Sequence, residues 1–340
     1  MRLETFEDRW GLTWRIKNAL VRVDPRRTAR FLSALLCGVS YSRPIFIIGV
    51  PRSGTTMIFR LLRSSPELAG MPHEGHDLWR RFHHPRLSGW HSDAVGHGEI
   101  RWGERRFAAA FISSRCQNAA SRFVEKTPDN SLRIGYILDL FPDAILVVMK
   151  RNPCDVISSL IDGWRDPAGR FRAYYVPATL SIPDYPHSHR WCFTLIEGWR
   201  DLISSPIPEI AFAQWYAVSK AIEEARPSVP PSQWIEVRLE DLLDRPESEL
   251  RRLCEGVGIQ NGPNLHRELH RLIEDPANAL SAPGSEKWRV RNPVEIQALL
   301  PRIGKVAPEF GYSVDENTGR SASFARPLAA CAGSDLSRLR

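Results

Sequence analysis

Two hydrophobic periods run along this chain, and they alternate. Leu3, Phe6, Trp10 and Trp14 recur at helical spacing, as do Phe31, Leu35 and Leu36, so residues 3–40 are predicted to form two helices. The segment "PIFIIGV" is then short, continuously apolar and β-branched, the pattern of a strand buried on both faces. Ile58, Leu61 and Leu62 mark one helix face, which ends before Pro66. Residues 76–122 have no clear period until a predicted helix at about 104–121.

Phe123 and Val124 suggest a short strand. Thr127 suits an N-cap with Pro128 at the first helical position, and Ile134, Ile137, Leu138 and Phe141 supply the apolar face that Pro142 closes. "AILVVMK" reads as a second buried strand, with Asn152 and Pro153 opening the helix "DVISSLIDGW". Residues 166–198, rich in proline, aromatics and histidine, read as an excursion over a site. A helix near 209–226, the strand "WIEVRL", the helix "PESELRRLCEGVG" with Gly258 at its end, and a helix at 293–308 follow.

Strands alternating with helices predict an α/β fold: a doubly wound, mainly parallel sheet flanked by helices. The predicted organisation is an N-terminal helical extension over 1–42, an α/β domain over 43–312 and a disordered tail over 313–340, where small and polar residues dominate.

Composition narrows the function. The 340 residues carry 46 basic and 39 acidic side chains, a dispersed net charge of +7 that suits anionic ligands without the basic, aromatic-interleaved stripe of a nucleic-acid binder. Six cysteines lie far apart with no C-x-x-C pair and are read as reduced thiols, which points to a cytoplasmic protein. No apolar stretch approaches the ~20 residues of a membrane span, and the opening "MRLETFEDRW" is not a secretory signal. His73, His76, His83 and His84 are close in sequence, but no matching ligand set follows, so no metal is expected. His266 and His270 would share one helix face.

The stretch with most chemistry is "IFIIGVPRSGTTMIF". Gly49 to Thr56 spells G-x-x-x-x-G-T-T, a phosphate-loop pattern in which Thr55 replaces the usual lysine. Backbone N–H groups of Ser53, Gly54 and Thr55 at a helix start form an anion cradle. Gly54 permits close approach, and Arg52 adds a forked positive charge. Without the lysine, or an evident acid to hold magnesium, the ligand expected is an anionic nucleotide whose transferred group needs no metal.

A second motif, "VVMKRNPCDVISSL", places Arg151 at the end of a strand and Ser159 eight positions later in the following helix, about a hundred residues beyond the loop. With "GVPRSGTT" it resembles the sulfotransferase family, and the resemblance covers most of residues 44–312. In that family the first motif is the 5′-phosphosulfate loop and the second grips a 3′-phosphate. The resemblance therefore implies 3′-phosphoadenosine 5′-phosphosulfate (PAPS) as donor and in-line sulfuryl transfer to an acceptor oxygen or nitrogen. Such transfer needs charge stabilisation on the moving group and a base for the acceptor proton.

The resemblance also suggests roles, with Arg52 and the loop residues Ser53, Gly54, Thr55 and Thr56 on the donor. Lys126, in "EKTP", matches a lysine of tyrosylprotein-type members and is assigned to the leaving phosphate or bridging oxygen, with a pair to Glu125 as its structural alternative. Glu74 falls near those members' base, offset by one residue, and His73 is the second candidate. "APGSEKWRVRNPVEIQALLPRIGKVAPEFGY" resembles the segment that folds over the nucleotide, making Ser285, Lys287 and Arg289 candidate phosphate contacts. It lacks the Arg-Lys-Gly signature of the animal cytosolic subfamily. Trp288 is either an adenine platform or a packed tryptophan. The acceptor could be a small molecule, glycan, lipid or peptide. Two other readings keep the loop: a P-loop kinase-like phosphotransferase, and a nucleotide-binding protein without turnover.

Overall fold

The computed structural model describes residues 24–116, 122–275, 284 and 286–323. The helix expected around Leu3 to Trp14, and Ser285, lie outside these residues. Helix α1 (Pro25–Cys37) starts at Asp24, whose carboxylate accepts from the Arg26 N–H at 2.9 Å, with proline at the first helical position. The chain continues through β1 (Ile45–Ile48), α2 (Thr55–Arg63), β2 (Leu68–Gly70), α3 (His76–His83), α4 (Glu104–Arg115), β3 (Arg122–Glu125), α5 (Ile134–Leu140), β4 (Ile145–Lys150) and α6 (Pro153–Trp164). A hairpin of β5 (Arg172–Tyr175) and β6 (Arg190–Cys192) precedes the long α7 (Ile207–Ala225). Then come β7 (Trp234–Arg238), α8 (Leu239–Asp244), α9 (Pro246–Val257), α10 (Pro263–Glu274), α11 (Trp288–Arg291), α12 (Pro293–Val306) and a hairpin of β8 (Tyr312–Val314) with β9 (Ser321–Ser323).

Five of these strands form the central sheet, in the order β2-β3-β1-β4-β7, and every pairing is parallel. Ile45 to Ile48 run residue for residue beside Ile145 to Val148. Because side chains alternate along a strand, the apolar runs split between two cores. Ile45, Ile47, Ile145 and Val147 pack with α2, α9 and α10, whereas Phe46, Ile48, Leu146 and Val148 pack with α5, α6, α7 and α12. This is the doubly wound α/β fold that the pattern predicts. After β1 the chain leaves to one side, for β2 and β3, and then crosses β1 to place β4 and β7 on the other. A reversal of this kind opens a crevice at the carboxyl ends of the strands.

Local signals held where they rested on backbone chemistry. Asn152 caps α6 by accepting from Cys154 N–H at 2.9 Å, and Gly258 ends α9 in the left-handed region. Thr127 does not cap a helix as expected. Its hydroxyl donates to Glu125 and accepts from Gly75 N–H, and a 3₁₀ turn (Pro128–Leu132) intervenes before α5. The irregular 76–122 stretch contains α3, whose only buried side chains are Leu78 and Trp79, too few to print a period. The tail expected to be disordered from 313 instead begins with the β8–β9 hairpin. Tyr312 and Val314 are buried there, and Gly319 lies directly against the Trp288 ring, so this piece is tied down by the core. Residues 324–340 lie outside the described structure.

Ile47 is fully enclosed between the sheet and the α2 side. Ile47→Ala is expected to cost about 2–5 kcal/mol of unfolding free energy, read as a lower urea midpoint at unchanged slope.

Candidate functional site

Four adjacent strands deliver the site from their carboxyl ends. β4 ends just before Arg151, β1 runs into the Gly49–Gly54 loop, β3 ends beside Lys126, and Glu74 lies a few residues beyond β2. The strand order therefore lines up the second motif, the loop, the lysine and the carboxylate in a row.

The loop is held in an open, left-handed course. Arg52 has φ +77° and Gly54 φ +102°, and a non-glycine residue in that region stores about 1–3 kcal/mol of strain. Ser131 clamps the loop's start, its hydroxyl accepting from Gly49 N–H at 2.9 Å and donating to Gly49 C=O at 3.0 Å. A Cβ on Gly49 would stand 2.7 Å from Ser53 Oγ and 3.0 Å from the Met149 carbonyl, so only glycine fits. Ser53 Oγ is buried and has no hydrogen-bond partner among the described residues. An orphaned hydroxyl inside a glycine cradle at the start of α2 fits an oxyanion.

The second motif is in contact with this loop. Arg151 Nη1 donates to the Arg52 carbonyl at 3.0 Å, and Arg52 Nε donates to Ser159 Oγ at 3.1 Å. Phe171, from the excursion, lies under the Arg52 guanidinium at 4.7 Å from the ring centroid. Burial first, then the nearby charges of Arg151 and Arg170, push Arg52 down to about 10. Lys287 is also pushed down, by burial and by Arg151. It is brought there by Asp155 on α6, whose two oxygens accept from Glu286 N–H (2.8 Å) and Trp288 N–H (3.1 Å). Asp162 and Asp166 offset part of this crowding at Arg52, and Asp155 and Asp162 at Lys287, yet both net shifts stay downward, which suits a crevice that receives an anion.

On the other side of the loop, Lys126 is buried and donates to Thr56 Oγ1 at 3.1 Å and to Glu74 Oε1. The amine that the loop lacks at position 55 thus arrives from β3. Glu74 Oε2 accepts from His76 Nε2 at 2.8 Å, and His76 Nδ1 lies 3.4 Å from Asp129 Oδ2, which Arg80 also holds at 3.2 Å. Burial raises the Glu74 carboxyl, but His76 and Lys126 outweigh it and the net shift is downward. Burial likewise opposes the His76 charge, yet Asp129 and Glu74 prevail and hold it at about 9. Glu125, the alternative partner of Lys126, faces away and accepts from Thr127, Asn130 Nδ2 at 2.9 Å and Gly75 N–H at 3.2 Å.

The structure thus gathers Arg52, Ser53, Gly54, Thr56, Glu74, Lys126, Arg151, Ser159 and Lys287 around one crevice. His73 lines the same cleft and, like Glu74, is exposed there. Arg289 is engaged elsewhere, with Glu286 at 3.1 Å and over the Trp288 ring at 4.3 Å. Trp288 is a core residue. The clustered histidines disperse: His83 pairs with Glu104 at 3.1 Å and His84 Nδ1 accepts from Arg86 N–H at 3.0 Å. His266 and His270 do share a face of α10, where both reach Glu247, at 2.5 and 2.9 Å. Sequence reasoning missed His76 and Asp129 as the supports of Glu74. Only the proximity of His76, two residues on, hinted at the first.

The Sulfotransferase family model matches residues 44–181 and 189–262, more than half of the chain. This chain belongs to the sulfotransferase family. Nodulation protein NoeE of Sinorhizobium fredii is 26% identical over 228 residues, 63% of this chain and 49% of that protein. Omega-hydroxy-beta-dihydromenaquinone-9 sulfotransferase Stf3 of Mycobacterium tuberculosis is 25% identical over 153 residues, 45% of this chain and 33% of Stf3. The sulfotransferase chain thus spans about half or less of the length of these relatives. The sulfotransferase STF9 of Mycobacterium avium superposes with a TM-score of 0.52 at 16% identity, covering 87% of this chain and 83% of STF9, which shows a shared fold. No described helix is long and apolar enough to cross a membrane.

The His76 bridge has a pH signature. Its folded value of about 9 lies above the ordinary 6.5, so its stabilising effect is complete below about pH 6.5 and is lost as pH rises through about 9. The stability difference between the unmodified protein and His76→Gln, followed by urea unfolding, should shrink over that window. A difference independent of pH would show that His76 is not held charged.

Proposed function

We propose that this chain transfers a sulfuryl group from PAPS to an acceptor hydroxyl or amine, with Glu74 as the base. The observation that carries the reading is the contact between the two motifs: Arg151 and Ser159 both bond to Arg52 of the loop. Two oxyanion grips in contact suit one compact nucleotide with phosphates at both ends.

In this reading the N–H groups of Ser53 to Thr56, the Ser53 hydroxyl and Arg52 hold the 5′-phosphate, and Arg151, Ser159 and Lys287 hold the 3′-phosphate. Bound there, PAPS supplies an activated sulfuryl group on a phosphate leaving group. Lys126 Nζ, already turned towards Thr56, donates to the departing oxygen and stabilises its developing charge. Glu74 takes the acceptor proton on a carboxylate oxygen. Its lowered value keeps it ionised at neutral pH, and His76 with Asp129 fixes its direction. Phe171, Phe193 and Thr194 of the excursion line the adjoining cleft. The name of Stf3 records a hydroxylated acceptor for that relative, in line with an acceptor oxygen here.

3′-Phosphoadenosine 5′-phosphate (PAP) should raise the melting temperature more than ATP with magnesium does; equal shifts would favour a phosphotransferase. Glu74→Gln should lower turnover about 10²–10⁴-fold with PAP affinity kept, measured by release of labelled sulfate and calorimetry. His73→Ala should leave turnover intact. The reverse pair of results would move the base to His73.

A further inference from the structure

Beyond Glu74, on the side away from Arg151, the crevice widens into a cleft of about 850 Å³ whose wall is basic. Four arginines (Arg60, Arg63, Arg170 and Arg271) and Lys126 line it, against the carboxylates of Glu74 and Glu268. Arg271 neutralises Glu268 through both oxygens, at 2.7 and 2.5 Å, and Arg170 is paired with Asp166 at 3.1 Å. Arg63 lies across Gly70 and donates to the Met71 carbonyl at 3.2 Å; it forms no direct ion pair among the described residues, although its charge reaches Glu268. Arg60 is half-buried and makes no hydrogen bond or direct ion pair among the described residues; its charge acts on Glu268, which Arg271 already holds through both oxygens.

Thr56, Arg60 and Arg63 stand four and three residues apart, on one face of α2. That face starts at the threonine bonded to Lys126 and runs outward from the reaction centre. A nucleotide gripped at Arg151 and at the loop lies on the opposite side of Thr56 and has no need of these arginines. We infer that Arg60 and Arg63 form an acceptor subsite for an oxyanion, so that the acceptor carries a carboxylate or phosphate close to its reacting hydroxyl. This rests on the assignment of the donor to the loop and Arg151. Guanidinium forks bind both anions in the same bidentate manner, so the anion's source is left to experiment.

The test is calorimetry on the full chain saturated with PAP, with two probe pairs: 4-hydroxyphenylacetate against 4-methylphenol, and glucose 6-phosphate against glucose. The anionic member of at least one pair should bind ten-fold or more tighter than its neutral partner, and the pair that responds identifies carboxylate or phosphate. Arg60→Glu should bring the ratio close to one while the PAP dissociation constant moves less than two-fold. Arg60→Gln, milder for folding, should reduce the ratio at least three-fold. The inference is overturned if neither anionic probe is preferred, if the preference survives both substitutions, or if PAP affinity falls in parallel, which would give the arginines to the donor. Failure of the donor assignment is read separately, as absence of PAP binding to the unmodified protein, and the probe pairs are then compared on the unloaded chain.

Discussion

Arg52 is the joint on which this site depends. Its backbone is turned into the left-handed region, its carbonyl accepts from Arg151, and its guanidinium donates to Ser159 while lying over Phe171. One residue therefore connects the loop after β1, the turn after β4, the helix α6 and the excursion at 166–198. The unfavourable backbone and the crowding of Arg52, Arg151 and Arg170 both cost stability, and the surrounding bonds must hold them in place. Such an arrangement makes sense when an anion completes it.

The parallel sheet turns that joint into a directional site. Since β2, β3, β1, β4 and β7 lie in that order, the residues at their ends are ranked across the crevice: Arg151, then the loop, then Lys126, then Glu74. A loop lysine would come from the helix start. Lys126 comes instead from a neighbouring strand and meets Thr56 from the side, between the anion cradle and the carboxylate. Glu74 is held on its second oxygen by His76, which in turn rests on the buried Asp129, so its direction survives if Lys126 turns to a ligand.

Much of this was legible in the sequence because it rested on short-range rules. The apolar runs at 45–48 and 145–150, the glycine spacing of the loop, and the caps at Asn152 and Gly258 are local signals, and each appears in the structure. What stayed hidden depends on contacts distant in sequence. Nothing local shows that Asp129 reaches His76, that Asp155 recruits the 286–288 backbone, or that Trp288 is covered by Gly319. Thr127 was misread because a threonine before a proline has the form of a cap, whereas Glu125 and Gly75 claim its hydroxyl. The hairpin after Tyr312 was missed because its stability comes from the core beneath it rather than from its own small, polar residues.

In the proposed donor complex one nucleotide spans both grips, with its 3′-phosphate at Arg151. The most direct measurement is a calorimetric cycle comparing PAP with adenosine 5′-phosphate on the unmodified protein and on Arg151→Ala. PAP is expected to bind the unmodified protein more tightly than adenosine 5′-phosphate does, Arg151→Ala to remove most of this advantage, and adenosine 5′-phosphate to bind both proteins alike. Equal losses for the two ligands, or none for either, would contradict this placement.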